Sequence, residues 1–401
     1  MAAVGTRLRA SLSAHEARLP ADKARQLLEQ LRQAKAQESS VPLTAAQCRQ
    51  RMRQALFQAH HHSDKAGSRE VAAQQLLAAP GLYASLRRVL HELQQRAGDR
   101  LPTIAESPLR ILDVGSSWGA GTLAAQHTWT DASFACALYD TWLQRAQAAS
   151  QWLDARPQLV PRMGGDGEGA ASRYDVVIAA HTFAGGVAAM HPSTWAWRLW
   201  QCTGRFLVVL EPGTVEGFAH VVATRDALLR RPDGDDAEDA VIARMIAPCP
   251  HSGACPLMAG PDGSKGDGSA ASGCVSFCHF AQRYERDRLL QQYRRVDRER
   301  QLVNTSARNI SNRRFSYVIL ERPSTESPPS SAAAAVAASR VVMAPQKRGG
   351  HVILPLCCSD GHVARHIVAR SDGERHGYAR ARRAAWGELW PFPLPHRGRM
   401  R

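Results

Sequence analysis

Between residues 109 and 229, short apolar runs alternate with stretches of helical periodicity, and this alternation is the strongest constraint on the fold. Strands that are separated by helices pair in parallel through right-handed crossovers. The pattern therefore predicts an α/β fold with a Rossmann-like domain over residues 106–246. The runs that we predict to be its strands are Leu109–Val114, Phe134–Tyr139, Tyr174–Ala180 and Phe206–Leu210.

Four further regions flank this domain. Residues 1–105 are predicted to form an N-terminal helical region, and residues 247–322 a cysteine-rich and Arg-rich segment. Residues 323–340 are low in complexity and are predicted to be a linker. Residues 341–401 are predicted to form a small C-terminal β unit with strands at His351–Cys357, His362–Ala369 and His376–Arg383.

The last helix of the N-terminal region is predicted to begin at Pro80-Gly81 and to end at Gly98. Apolar residues recur at helical spacing along one of its faces, namely Leu82, Leu86, Val89, Leu90 and Leu93. No run in the chain approaches the roughly 18 apolar residues that a membrane-spanning helix needs, so no membrane partner is expected.

The first strand is followed by a glycine-rich turn. Asp113, Gly115, Gly119 and Gly121 fit the D-x-G-x-x-x-G-x-G pattern found after the first strand of S-adenosylmethionine-dependent methyltransferases. Asp140, after the second strand, stands where a carboxylate could accept both hydroxyls of a ribose. We therefore predict a class I methyltransferase fold and an S-adenosyl-L-methionine site at these five residues. Ser117-Trp118 departs from the usual pattern, and the alternative is a methyltransferase-like shell with a degraded pocket.

Nine cysteines are present, and four of them lie within 30 residues. Cys249 and Cys255 are each followed by proline, and Cys274 and Cys278 come soon after. Clustered thiolates are soft ligands that suit either zinc or an iron–sulfur cluster, and spacing alone leaves this choice open. The pair Cys357-Cys358, beyond the linker, offers a further ligand. His251 and His279 could also be ligands, but each is expected to lie beside the metal or at the surface.

The formal net charge is +15, and it is spread unevenly. Residues 111–280 are acidic on balance, whereas residues 1–110, 281–322 and 340–401 are basic, with Arg more frequent than Lys. The planar guanidinium of arginine presents N–H donors that match the geometry of a phosphate, so this distribution predicts nucleic-acid binding by the basic segments.

Several motifs together resemble the mitochondrial methyltransferase-like protein 17 family. They are Glu211–Phe218, Pro248–Leu257, Cys278–Gln282, Arg314–Leu320, His351–His362 and Ala385–Glu388. The resemblance implies a mitochondrial-matrix assembly factor of the small ribosomal subunit that contacts its rRNA, ribosomal proteins and other assembly factors. It also implies a [4Fe–4S] cluster. By motif, its ligands here would be Cys249, Cys255, Cys278 and Cys357, with Cys358 as the alternative fourth.

The same resemblance implies a retained methyltransferase architecture without catalysis. His181-Thr-Phe-Ala follows the Tyr174–Ala180 strand, where an amino-group methyltransferase would carry an Asn/Asp-Pro-Pro-aromatic tetrapeptide. The leading hypothesis is thus a non-catalytic assembly factor. The alternatives are an active S-adenosylmethionine-dependent rRNA methyltransferase and a zinc-stabilised nucleic-acid-binding module.

Overall fold

A computed structural model shows two sheets joined around one long helix. It describes residues 20, 22, 23, 25, 68–101, 107–115, 119–140, 153, 157–160, 173–184, 188, 190–229, 243–258, 277–285, 310–323, 339–371 and 375–392. None of the helices in these ranges is long and apolar enough to cross a membrane.

The main sheet has eight strands in the order β3-β2-β1-β4-β5-β8-β6, with β7 also paired to β8. The pairs that β1, β2, β3, β4 and β5 form with one another are parallel, whereas β8 runs antiparallel to β5, β6 and β7. This is the arrangement of the class I methyltransferase fold, so the predicted fold class is confirmed. The strands are β1 (Leu109–Val114), β2 (Phe134–Tyr139), β3 (Gln158–Leu159), β4 (Tyr174–Ala180), β5 (Thr203–Pro212), β6 (Arg244–Ala247), β7 (Phe280–Glu285) and β8 (Ile310–Glu321).

Helices cover both faces of this sheet because the side chains of successive strand residues point to opposite faces. One face, with Ile111, Val176 and Phe206, packs against α1 (Ser68–Ala97) and α2 (Ala120–Thr128). The other, with Leu112, Val177 and Leu207, packs against α3 (Pro192–Cys202) and α4 (Val215–Leu229). All four predicted strands are present, and β5 is longer at both ends.

Helix α1 differs from its prediction at one end. It begins at Ser68 and contains Pro80, so the predicted start at Pro80-Gly81 is wrong. Proline removes one helical hydrogen bond, but α1 packs along β7 and β8, and tertiary packing outweighs local propensity. The predicted end is confirmed, since a short 3₁₀ turn begins at Gly98.

The C-terminal unit is a five-stranded sheet with one helix. Its elements are β9 (Ser339–Val341), β10 (Gln346–Lys347), β11 (His351–Cys357), β12 (Val363–Ala369), α5 (Arg375–Arg383) and β13 (Leu389–Trp390). The prediction of a strand at His376–Arg383 is wrong, because Gly377 and Ala381 are buried one helical turn apart in α5.

Two predicted boundaries differ from the structure. Strand β9 begins at Ser339, inside the predicted linker 323–340, of which residues 324–338 lie outside the described ranges. The segment 247–322 is not separate from the main sheet either, since both β7 and β8 lie within it and belong to that sheet. The boundary predicted at residue 247 was misplaced because a long polar stretch of sequence precedes β8.

A buried guanidinium connects the two sheets. Arg340 of β9 donates to Glu92 Oε1 of α1 at 2.5 Å, to the carbonyl of Pro248 at 2.9 Å and to that of Gly387 at 2.6 Å. Tyr317 of β8 donates to the other oxygen of Glu92 at 2.7 Å. Both charged side chains are almost fully buried, so each depends on the other for its charge balance.

This pair predicts a pH-dependent stability. Burial alone would raise the pKa of Glu92, but the charges of Arg340 and Arg96 lower it to about 2. A carboxylate whose pKa is lower in the folded state than in the unfolded state stabilises the protein at pH values above its unfolded-state pKa. That stabilisation is lost as the pH falls towards its folded-state pKa. Glu92→Gln should therefore lower the free energy of unfolding by about 3 kcal/mol at pH 7, and the difference from wild type should shrink below pH 4.5.

Denaturant unfolding at a series of pH values measures this difference. Asp99→Asn is the matched control, because the Asp99 side chain is 81% exposed and its pairing with Arg100 is long, at 3.8 Å. A Glu92→Gln protein as stable as wild type at pH 7 would contradict the assignment.

Candidate functional site

Four predicted metal ligands meet in one pocket. Cys249 and Cys255 come from the loop after β6, Cys278 lies two residues before the start of β7, and Cys357 ends β11. All four line one pocket. Its wall is largely apolar and includes Phe218, Val221, Val222, Pro250, Pro256 and Leu257.

The adjacent cysteines at the end of β11 point to different surroundings. Cys357 lines the pocket, and its Sγ lies 3.5 Å from Nε2 of His251. Cys358 belongs to the apolar core of the C-terminal sheet, where its thiol donates to the carbonyl of Leu356 at 3.7 Å. This places Cys357 rather than Cys358 with the other three thiols. Cys274 lies outside the described residues.

The pocket disfavours negative charge unless a cation is present. Burial raises the pKa of Cys255 to about 11 and that of Cys357 to about 12, and it raises the pKa of Cys278 well above its usual value. The neighbouring cysteines raise these values further, because thiolates at short range repel one another. A positively charged metal centre removes both penalties, so the donor set and its surroundings fit a thiolate-bound metal.

Two buried arginines also border the pocket, and sequence reasoning missed both. Arg225 of α4 hydrogen-bonds to Cys249 and to the carbonyls of His251 and Gly253. Arg340 binds the carbonyl of Pro248, the residue before Cys249. Their positive charges lower the pKa of Cys249 against the larger, raising effect of burial.

A signal for one of these arginines was available in the sequence. Arg225 follows Phe218, Val221 and Val222 on one helical face, where a charged residue is unusual. No comparable signal exists for Arg340, whose partners lie up to 248 residues away.

No three of the four pocket sulfur atoms lie mutually within 4.8 Å of one another. Among the described residues, the one group with three ligand atoms mutually within 4.8 Å is Cys358, Asp360 and His362, outside the pocket. Tetrahedral zinc at about 2.3 Å from each sulfur would hold its ligands about 3.8 Å apart. In a [4Fe–4S] cluster each of four thiolates binds a different iron, which calls for wider spacing than a single ion does.

The two predicted neighbouring histidines occupy different positions. His251 contacts Cys357, as described above, and burial lowers its pKa. His279 lies between the rings of Phe277 and Trp386, with both ring centroids 4.6 Å away. Neither is needed to complete a set of four sulfur ligands.

The glycine turn has the backbone geometry that its sequence predicts. Gly115 and Gly119 have φ values of 71° and 77°, a region that side chains disfavour. The turn between them, including Ser117 and Trp118, lies outside the described residues. Asp140 follows β2, and β2 pairs directly with β1, so Asp140 lies beside the turn. Its side chain is half-buried.

Asp113 faces inward beneath this turn. Its Oδ2 accepts hydrogen bonds from the backbone N–H of Thr122 at 2.7 Å and from its hydroxyl at 3.2 Å. A Cβ on Gly121 would lie only 2.6 Å from Asp113 Oδ1, so this glycine is required for close packing. Asp113 and Gly121 therefore fix the start of α2.

Hydrogen bonds to buried groups of β5 hold the segment after β4 in place. His181 has a φ of 55°, and its backbone N–H donates to the carbonyl of Leu210 at 2.7 Å. Glu211, buried at the end of β5, accepts from the hydroxyl of Thr182 at 3.1 Å and from the N–H of Phe183 at 3.2 Å. Burial raises the pKa of Glu211 to about 7. Sequence reasoning gave Glu211 no such role.

Comparison with known proteins gives a family match over most of the chain. A sequence model described as mitochondrial small ribosomal subunit Rsm22 matches residues 68–391. The human mitochondrial ribosome assembly protein METTL17 is 25% identical over 335 residues, which are 79% of this chain and 61% of the relative. Rsm22-cox11 tandem protein 2, mitochondrial, of Schizosaccharomyces pombe is 29% identical over 214 residues, which are 49% of this chain and 26% of the relative. The chain thus spans less than two thirds of either relative.

Similar solved structures are distant. The plantazolicin methyltransferase BpumL in complex with SAH is 10% identical, with 70% of this chain and 100% of that chain covered and a TM-score of 0.35. A putative RNA methyltransferase, PH1948 from Pyrococcus horikoshii, is 6% identical, with 70% and 98% covered and a TM-score of 0.28.

Proposed function

The chain belongs to the mitochondrial small ribosomal subunit Rsm22 family, and on this premise we propose that it acts in the mitochondrial matrix as an assembly factor of the small ribosomal subunit. The family match over residues 68–391 carries this proposal. The convergence of four thiols, from three separate parts of the chain, on one pocket supports a metal centre in the protein. The names of its human and fission-yeast relatives support the location and the role in assembly.

We infer that the pocket holds a [4Fe–4S] cluster through Cys249, Cys255, Cys278 and Cys357. When bound, such a cluster supplies four iron–thiolate bonds that cross-link the chain. Here the cross-link would join the loop after β6, the start of β7 and the end of β11. Arg225 and Arg340 would balance the negative charge of the thiolates, and the apolar wall would keep water from them. The proposed role of the centre is therefore structural.

Removal of one ligand should remove iron and destabilise the protein. Cys249→Ser, Cys255→Ser, Cys278→Ser and Cys357→Ser should each lose most of the bound iron, because an alcohol oxygen is a poor replacement for a soft thiolate. Iron content of anaerobically purified protein and the thermal unfolding midpoint measure both effects.

Cys136→Ser and Cys202→Ser are the matched controls, since both thiols are buried in the main sheet domain away from the pocket. They should keep wild-type iron content. If the four pocket variants keep it too, the ligand assignment is wrong.

The zinc-stabilised module is the second reading of the same thiols. The soft donor set alone is compatible with zinc, but the spacing of the sulfur atoms favours a larger centre. Metal analysis of the same preparations separates the two, because a zinc site would lose zinc rather than iron in the four pocket variants.

A basic surface on the C-terminal unit is our candidate for contact with rRNA. Exposed cationic side chains line β10, β12, α5 and the loops beside them, namely Lys347, Arg348, Arg365, Arg370, Arg382 and Arg383. Arg294, Arg295 and Arg298 in the basic segment 281–322 lie outside the described residues. Cluster ligand Cys357 belongs to the same sheet, so the proposed centre would fix this surface relative to the main sheet.

Binding through arginine–phosphate contacts should weaken steeply as salt increases, because each neutralised phosphate releases counterions. The double charge reversal Arg365→Glu with Arg382→Glu should lower affinity for small-subunit rRNA fragments about tenfold or more and reduce the salt slope. Titrations at several salt concentrations measure both quantities.

Arg198→Glu, exposed on α3, is the control and should leave affinity within about twofold. A salt-independent affinity would contradict the electrostatic contact.

We propose that assembly does not require methyl transfer. The Asp113 carboxylate accepts a hydrogen bond from the start of α2, and the Glu211 carboxylate accepts hydrogen bonds from the segment after β4. The active rRNA methyltransferase remains the second candidate, because Gly115 and Gly119 retain the open turn that a cofactor would approach.

Complementation separates these candidates. Asp140→Ala should lower S-adenosylmethionine binding yet still support assembly of the small subunit, whereas Cys249→Ser should not. The measurement is rescue of subunit assembly in depleted cells, alongside cofactor binding by the purified protein. Failed assembly with a folded, iron-loaded Asp140→Ala protein that no longer binds cofactor would favour the enzyme instead.

A further inference from the structure

The tight turn between β11 and β12 brings together three side chains that the thiol pocket does not use. Cys358, Asp360 and His362 each place one ligand atom within 4.8 Å of the other two. Cys358 directly follows the pocket ligand Cys357, but its side chain lies on the other side of the strand, in the C-terminal sheet. The Cys357 thiol therefore lies in the pocket and the Cys358 thiol in the core of the C-terminal sheet.

The backbone of the turn sets the position of these side chains. The N–H of Cys358 donates to the carbonyl of His362 at 2.9 Å, and the N–H of Gly361 donates to the carbonyl of Cys358 at 3.1 Å. Gly361 has a φ of 85°, which lets the chain reverse within five residues. The imidazole Nδ1 of His362 contacts the carboxylate of Asp360. Alternate residues of the turn thus point to one side.

We propose that Cys358, Asp360 and His362 bind a divalent transition-metal ion, for which Zn²⁺ is the best match. One thiolate, one carboxylate and one imidazole form a mixed donor set that suits a borderline ion. Ligand atoms around tetrahedral zinc lie about 3.3–3.8 Å apart, so a bound ion would take the place of the direct contact between Asp360 and His362. The thiol proton of Cys358 passes to solvent as the zinc–sulfur bond forms.

Exposure of the three ligands indicates how an ion would enter. Cys358 is buried, whereas the side chains of Asp360 and His362 are 56% and 33% exposed. The ion would reach the thiolate from the solvent side and would keep its fourth position open to water. A Cβ on Gly361 would lie 3.7 Å from Nδ1 of His251. The turn is therefore close to the loop that carries Cys249 and Cys255, and a bound ion would also order the turn beside that loop.

The test uses anaerobically purified full-length protein. Zinc and iron are counted in each preparation, and Co²⁺ is then titrated in as a probe whose bond to a thiolate gives a charge-transfer absorption. Wild type should hold about one equivalent of zinc in addition to its iron. His362→Ala and Asp360→Ala should weaken Co²⁺ binding at least about tenfold with no change in iron.

Two comparisons keep the result decisive. His351→Ala, at the other end of β11, should leave zinc and cobalt binding unchanged. Cys358→Ala should abolish the cobalt–thiolate absorption, and if that variant does not fold, the two exposed variants decide the question. Unchanged metal binding in the His362 and Asp360 variants, no zinc or cobalt in the wild type, or loss of iron in Cys358→Ala would each overturn the proposal.

Discussion

Arg340 is the contact on which the arrangement of the molecule depends. A guanidinium buried this deeply is costly unless its N–H groups find acceptors and its charge finds a counter-ion. Arg340 meets both conditions only when α1 supplies Glu92, the loop after β6 supplies the carbonyl of Pro248, and the C-terminal unit supplies that of Gly387. The requirement brings three distant segments together, and Cys249 and Cys357 line the same pocket beside them.

The proposed centre adds a second cross-link at the same junction. Without a metal, thiolates are unfavourable in this apolar pocket, as the raised pKa values of its thiols indicate. A bound metal would stabilise the same thiolates. The described residues have the topology of a class I methyltransferase fold, in which Asp113 and Glu211 accept hydrogen bonds from interior groups. The fold would thus act as a rigid platform that presents the basic C-terminal surface.

Local patterns predicted much of this structure. Apolar runs identified β1, β2, β4 and β5, and the glycine pattern located the turn after β1, because both signals depend on neighbouring residues. Predictions based on local signals failed where distant packing decides, as for Pro80 inside α1 and for helix α5. The meeting of Cys249 with Cys357 and the role of Arg340 depend on contacts across roughly a hundred residues or more, which no short pattern encodes. The ligand set came from resemblance to a family, and the structure places all four residues in one pocket.

The central claim is that the four pocket thiols hold one iron–sulfur centre. Iron and acid-labile sulfide analysis of the anaerobically purified full-length protein, with an electron paramagnetic resonance spectrum after reduction, tests it most directly. We predict about four iron and four sulfide per chain and the signal of a reduced [4Fe–4S] cluster. A protein without iron or sulfide, whose pocket holds a single zinc that Cys249→Ser removes, would contradict it.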